Sequence, residues 1–283
     1  MEENSAKTNN SGQVKKIAGI DIYYELHQNP KADQTMVFLH GFLSSSFCFR
    51  KIIPKLNEYY TILSVDFPPF GKSGKAKAFT YSYDNIAKTI LRLLDILSIP
   101  QAILIGHSMG GQICLYMAKL SPERFPKLIL LASSGYLRRA KHFPILLSYM
   151  PGFYRFIKRQ LIRSGGVEGN LRQVVYDPAL IDEEMIQGYS EPFLDKDDVF
   201  QGLVKLLRDR EDDLSSQELE KIHLPVLLIW GKHDKIVPLS TGKRLHRDLP
   251  SSKLVVIDDA GHLLPEEKPE MVCERILEFL KEA

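Results

Sequence analysis

The stretch ILIGHSMGGQICLYMA, residues 103–118, passes from an apolar strand-like run through a serine framed by glycines into a helix-like segment without a spacer. Its centre, Gly106-His107-Ser108-Met109-Gly110, fits the pattern G-x-S-x-G, and the flanks supply the strand and helix that the pattern needs to carry chemistry. A serine on so sharp a bend sits in a strained backbone, and side chains at 106 and 110 would collide, so both positions call for glycine. An isolated match would read as an ordinary turn serine or helix N-cap. Here the hydroxyl is predicted to project above the sheet at the positive end of the following helix, as a nucleophile.

A serine hydroxyl attacks at neutral pH only with a base in reach, usually a histidine oriented by a carboxylate. Of the eight histidines, His262 in DDAGHLLPEEKP follows the apolar run 253–258, and Asp234 in WGKHDKIVP follows the run 226–231. Strand ends thus present Ser108, Asp234 and His262 in the chain order Ser, Asp, His. Asp258 and Asp259 are the competing orienters, but a neighbour four residues from His262 would have to fold back to reach it. His40, His107 and His233 adjoin the site in sequence and read as structural. His27, His142, His223 and His246 read as surface or lid residues. Acyl transfer also needs donors for an oxyanion, worth roughly 3 to 4 kcal/mol each. The amides of Met109, at a helix start, and of Phe42, in the loop HGFLSSS, are the candidates, with Gly41 allowing close approach. The plain alternative for His40-Gly41 is a strand end followed by a turn.

Outward from this centre, short continuous apolar runs recur at 36–40, 61–66, 102–106, 128–133, 226–231 and 253–258, as in strands covered on both faces of a mainly parallel sheet. Before them, Ile20, Ile22, Tyr24 and Leu26 alternate as in a half-buried strand, with Gly19 turning a hairpin into it. Helical stripes lie between, such as Ile86, Ile90, Leu93, Leu94 and Leu97, and a last one at Val272, Ile276, Phe279 and Leu280 follows Pro269. Helices on both sides of such a sheet make a doubly wound α/β domain.

About ninety residues, Tyr136 to His223, interrupt the alternation, too long for a bare loop and predicted to be a helical insertion. From Tyr136 to Gly165 the chain carries Arg138, Arg139, Lys141, Arg155, Lys158, Arg159 and Arg163 and no acid, interleaved with aromatic and aliphatic residues. The whole chain of 283 residues is nearly balanced, 37 basic against 35 acidic, which argues against a nucleic-acid-binding surface spread over the molecule. Cys48, Cys114 and Cys273 are far apart in apolar sequence, as free buried thiols of a cytoplasmic protein would be. The polar N-terminus lacks the apolar centre of a signal peptide and reads as a frayed first dozen residues, and no run approaches the ~20 apolar residues of a transmembrane helix. GKS at 71–73 imitates the end of a phosphate loop, but Asp66 occupies the position that requires glycine. No metal-ligand spacing is present, and the chemistry calls for neither metal nor cofactor.

Over roughly residues 20–281 the chain resembles the α/β-hydrolase superfamily, on HGF (40–42), DFPPFGKS (66–73), GHSMGG (106–111), GKHDKIVP (231–238) and GHLLPEEKP (261–269). The resemblance implies an α/β-hydrolase fold, a mainly parallel eight-stranded sheet with helices on both faces and an inserted helical cap. Residues 1–135 and 221–283 would form the core and 136–220 the cap. It implies Ser108 as nucleophile, His262 as base then acid, Asp234 as its orienter, and Phe42 and Met109 as oxyanion donors. Pro69 departs from the glycine usual in that superfamily, and because proline fixes φ the turn there must differ; no catalytic atom is expected from it. A serine nucleophile sets the chain apart from the dehalogenase and epoxide hydrolase branches, which it resembles elsewhere and which use aspartate.

Four readings follow. The leading one is hydrolysis of small or medium acyl or aromatic carboxylic esters through an acyl-enzyme. A second is carbon–carbon hydrolysis of ring-fission-type diketones with the same residues. A third takes the basic lid segment as a dock for an acidic acyl carrier protein or an anionic lipid surface, against the plain reading of solvated cap cations. The fourth is a ligand sensor that keeps the triad without turnover.

Overall fold

The computed structural model describes residues 12–193 and 197–282. The polar N-terminal segment read as frayed falls largely on residues 1–11, outside the described residues. Eight strands form one sheet in the order β1-β2-β4-β3-β5-β6-β7-β8. They are β1 (Gln13–Ile17), β2 (Ile20–His27), β3 (Thr35–Leu39), β4 (Thr61–Asp66), β5 (Ile103–His107), β6 (Leu128–Leu131), β7 (Val226–Gly231) and β8 (Ser252–Ile257). The β1–β2 and β2–β4 pairs are antiparallel and all others parallel. Ala18 and Gly19, with φ of 50° and 83°, turn the expected hairpin. Two left-handed residues give a turn whose twist matches that of paired strands.

The continuous apolar runs become strands within a residue of their expected bounds, except that the run at 128–133 ends as a strand at Leu131, and β5, β6 and β7 are buried along their whole length, so both faces are covered. The run at 253–258 is different. It forms the edge strand β8, where Ser252–Val256 keep partial exposure; apolar content alone does not distinguish an edge from a centre.

The covering helices are α1 (Ile53–Asn57), α2 (Tyr83–Ile96) and α3 (Met109–Leu120), followed by α4 (His142–Ser148), α5 (Phe153–Arg163), α6 (Gly166–Val174), α7 (Glu183–Ser190), α8 (Asp197–Asp209) and α9 (Ser216–Leu219) between β6 and β7, then α10 (Leu239–Asp248), α11 (Leu264–Glu267) and α12 (Pro269–Lys281). Helix α2 begins where the Ser82 side chain accepts from Asn85 N, and it buries Ile86, Ile90, Leu93 and Leu94 on one side. Helix α12 starts at Pro269 and buries Val272, Ile276 and Phe279. The three cysteines are free and buried.

Among the described residues, the segment between β6 and β7 holds helices and no strand. Its two ends are tied together, Leu137 N donating to the Asp213 carboxylate and Asp213 N to Leu137 O, each at 3.0 Å. Chain order reverses around β3, which pairs with β4 on one side and β5 on the other. At such a switch point the carboxyl ends of neighbouring strands part and leave a crevice.

Candidate functional site

The crevice at the ends of β3 and β5 receives the serine turn. Ser108 has φ 52° and ψ −120°, a strained conformation for a residue with a side chain. The close packing around it explains the glycines. A Cβ on Gly106 would fall 2.5 Å from Gly111 Cα, and one on Gly110 would fall 2.1 Å from Leu39 O. The loop after β3 closes in from the other strand, since a Cβ on Gly41 would sit 3.2 Å from Ser108 Cβ. Met109 is the first residue of α3, so its amide has no acceptor within the helix.

Asp234 and His262 come from the ends of β7 and β8 and meet as a buried pair. His262 Nδ1 donates to Asp234 Oδ2 at 2.7 Å, which leaves Nε2 for proton transfer. The other oxygen, Asp234 Oδ1, accepts from Ile236 N and Val237 N at 2.8 Å each, so the carboxylate is locked on both sides. Asp258, the sequence neighbour that competes for His262, is 78% exposed in its side chain and pairs with Lys232 instead.

Ser108, 8% exposed, and His262 both line a cavity of about 250 Å³. Phe42, Leu43, Ile236 and Leu263 supply core walls, while Leu161 of α5 and Val167, Asn170, Leu171 and Val174 of α6 close it from above the sheet edge. The lining is mostly apolar and, among the described residues, includes no lysine or arginine. Among the described residues, no three His, Cys, Asp or Glu side chains lie together as metal ligands. No helix among them is long and apolar enough to cross a membrane.

A sequence profile of the α/β-hydrolase fold matches residues 34–269. The chain belongs to the α/β-hydrolase family. It is 49% identical over 265 residues to the uncharacterized hydrolase YugF of Bacillus subtilis, covering 94% of this chain and 96% of that one. It is 29% identical over 273 residues to a 2-hydroxy-6-oxononadienedioate/2-hydroxy-6-oxononatrienedioate hydrolase of Burkholderia vietnamiensis, covering 93% and 92%. Among solved structures, an esterase from Exiguobacterium antarcticum superposes with a TM-score of 0.78 at 24% identity, covering 96% of this chain and all of that one.

Within this α/β-hydrolase the histidine loop is held by groups that the sequence analysis gave no such role. Buried Glu267 accepts from Gly261 N and Tyr176 N through Oε2, at 2.9 and 2.7 Å, and from Leu263 N through Oε1 at 2.9 Å. His262 N donates to Val174 O at 2.8 Å. One carboxylate therefore binds both neighbours of His262 and the segment that follows α6. Burial raises the Glu267 pKa while its three amide partners and His262 act to lower it. Glu266, next in the chain, turns away to Arg50 and Tyr189. In the string PEE nothing marks which acid faces the loop.

His107 also acts on that loop. Its Nε2–H donates to His262 O at 2.9 Å, and burial, with His262 nearby, pushes its pKa down to about 3, so it is neutral. His40 is buried too, stacked on Phe67, and its Nδ1–H donates to Gly41 O at 2.8 Å. His233 stacks on Tyr176. The Pro68–Pro69 bond is cis, in a turn where Phe70 N donates to Phe67 O at 3.0 Å. A Cβ on Gly202 would fall 2.4 Å from Pro69 Cβ, so α8 packs directly on this proline. Residues 71–73 wrap Asp66, whose carboxylate accepts from Lys72 N at 2.8 Å.

Proposed function

We propose that the chain is a serine hydrolase that cleaves carboxylic esters of small or medium acyl or aromatic substrates. One observation carries this reading: a strained, glycine-packed serine and a carboxylate-anchored histidine line one apolar cavity. Ser108 Oγ attacks the ester carbonyl carbon as its proton passes to His262 Nε2, and Asp234 stabilises the imidazolium through Nδ1–H. The amides of Phe42 and Met109 donate to the oxyanion. Collapse expels the alcohol, which takes the proton from His262. Water then attacks the acyl carbon, gives a proton to His262, and the acid leaves as Ser108 is reprotonated.

Residues 136–220 serve in this reading as a cap over a core made of 1–135 and 221–283, because α5 and α6 contribute cavity wall. Three buried free thiols suit a reducing, cytoplasmic setting. The test is Ser108→Ala: p-nitrophenyl butyrate turnover and fluorophosphonate labelling are both expected to vanish, and retention of either in purified protein refutes the assignment.

The relatives named for dienedioate hydrolysis give carbon–carbon cleavage a place as the second reading. A dienedioate carries two carboxylates, and their burial calls for cations. The described residues that line this cavity include no lysine or arginine, which favours a neutral ester. Turnover of a coloured dienedioate faster than that of simple esters would reverse the preference.

A further inference from the structure

The segment 137–163, whose helices α4 and α5 touch each other and both pack on α8, combines exposed apolar side chains with unneutralised cations. Of 17 large apolar residues exposed among the described residues, seven fall between 137 and 162: Leu137, Phe143, Leu146, Tyr149, Met150, Phe156 and Ile162. The same region, 136–165, has seven cations and no acid. Among the described residues only Lys158 of these cations has an ion-pair partner within 4 Å, Asp197 at 2.7 Å.

The two properties are ordered along the chain. Residues 142–154 contain no lysine, arginine, aspartate or glutamate, and α4 turns Phe143 and Leu146 outward at 69% and 68% exposure. Helix α5 follows with Arg155, Arg159 and Arg163 on its exposed side, flanked by Phe156 and Ile162. Its opposite side packs Tyr154, Ile157 and Leu161 inward, and Leu161 reaches the cavity.

We propose that this face docks on an anionic lipid bilayer, peripherally, with the α4 side chains entering the headgroup–acyl boundary and the α5 arginines binding lipid phosphates. An apolar group beside a row of cations without carboxylate partners among the described residues, of which Arg155 donates to Tyr154 Oη, suits an interface that is anionic at its surface and apolar just beneath. A two-fold contact with a second copy would set the same cations against each other. An acidic protein would answer the charge but leave Phe143 and Leu146 to find an apolar match of their own. Docking does not depend on the proposed reaction. If both hold, the cavity lies behind the docked helix, next to the phase where apolar esters concentrate.

The experiment is co-sedimentation of the full chain with vesicles of equal phosphatidylglycerol and phosphatidylcholine, and with phosphatidylcholine alone. Binding is expected to the first, at least about tenfold weaker to the second, and lost as salt rises from about 0.05 M to about 0.3 M. Arg155→Glu with Arg159→Glu is expected to weaken binding by on the order of 25-fold or more, since each surface cation contributes a factor of about five. Phe143→Trp supplies a measurement without charge reversal: because Trp230 is fully buried, a blue shift of emission on adding anionic vesicles reports insertion of residue 143. No sedimentation with anionic vesicles, equal binding by the charge-reversed variant, or no blue shift overturns the proposal. So does a salt-sensitive dimer that the same variants abolish while vesicles are ignored.

Discussion

The serine turn and the histidine loop face one cavity, yet they are held by different means. At the turn, sterics do the work: Gly106 admits the Gly110–Gly111 backbone, and Gly110 admits the Leu39 and His40 carbonyls at the end of β3, at distances that any Cβ would violate, and Ser108 is left at φ 52°. The histidine loop is held by hydrogen bonds instead, some from Glu267 within the same segment and some from distant ones. Asp234 holds the ring, Glu267 and Val174 hold the backbone on both sides, and His107 holds the carbonyl. A serine can be positioned by excluded volume, and the glycines that this demands show in the sequence even where the volume is filled by a distant strand. A base that must keep one ring nitrogen oriented needs hydrogen bonds, and its partners come from wherever the fold brings them.

The largest test of this contrast is Asp234→Asn. It keeps the loop's shape but removes the acceptor that favours the Nδ1–H tautomer, and kcat for p-nitrophenyl butyrate is expected to fall by on the order of 10⁴. A loss under about tenfold would show that the backbone clamps alone hold His262 in register.

On the turn, Gly110→Ala forces a methyl into Leu39 O and is expected to cost about 3 kcal/mol or more of stability, read from urea unfolding. An unchanged midpoint would mean that the turn tolerates a Cβ and that its glycine has another cause.

Glu267→Gln sharpens the comparison further. An amide offers only one acceptor oxygen to three N–H donors, so the loop loosens and kcat is expected to drop on the order of tenfold to a hundredfold, with KM little changed. If Glu267 acts through His262, the same change made in a His262→Ala background costs nothing more. Additive losses in the double variant would reduce Glu267 to general structural support.

The smallest effect concerns His107. Its pKa is depressed in the folded state, so the unfolded chain binds the extra proton and stability falls as pH drops below about 6.5. The contribution lost between pH 8 and pH 6 is about 1 kcal/mol, growing toward pH 3. In His107→Asn that part of the pH slope is expected to disappear; an unaltered slope would assign it to other groups.

Much of the fold was legible because its signals are short-range. The runs at 61–66 and 226–231 match strands end to end, and the α2 stripe and the Ala18-Gly19 hairpin follow from periods of 3.6 and 2. The run at 253–258 was apolar enough to pass for a central strand, since its edge position depends on what no later strand covers. Pro69 was visible as an irregularity, but its contact with Gly202 on α8 joins residues far apart in the chain.

By itself the sequence determined the elements, the strained turn at Ser108, and the candidate partners Asp234 and His262, because propensity, periodicity and the spacing of glycines and strand ends are read over short stretches. Only the tertiary structure decided that Glu267 rather than Glu266 binds the loop of His262, and that α5 shows the cavity one side and solvent the other. Those choices depend on direction and burial. Two adjacent acids are alike in composition, and the rest of the folded chain separates one from the other.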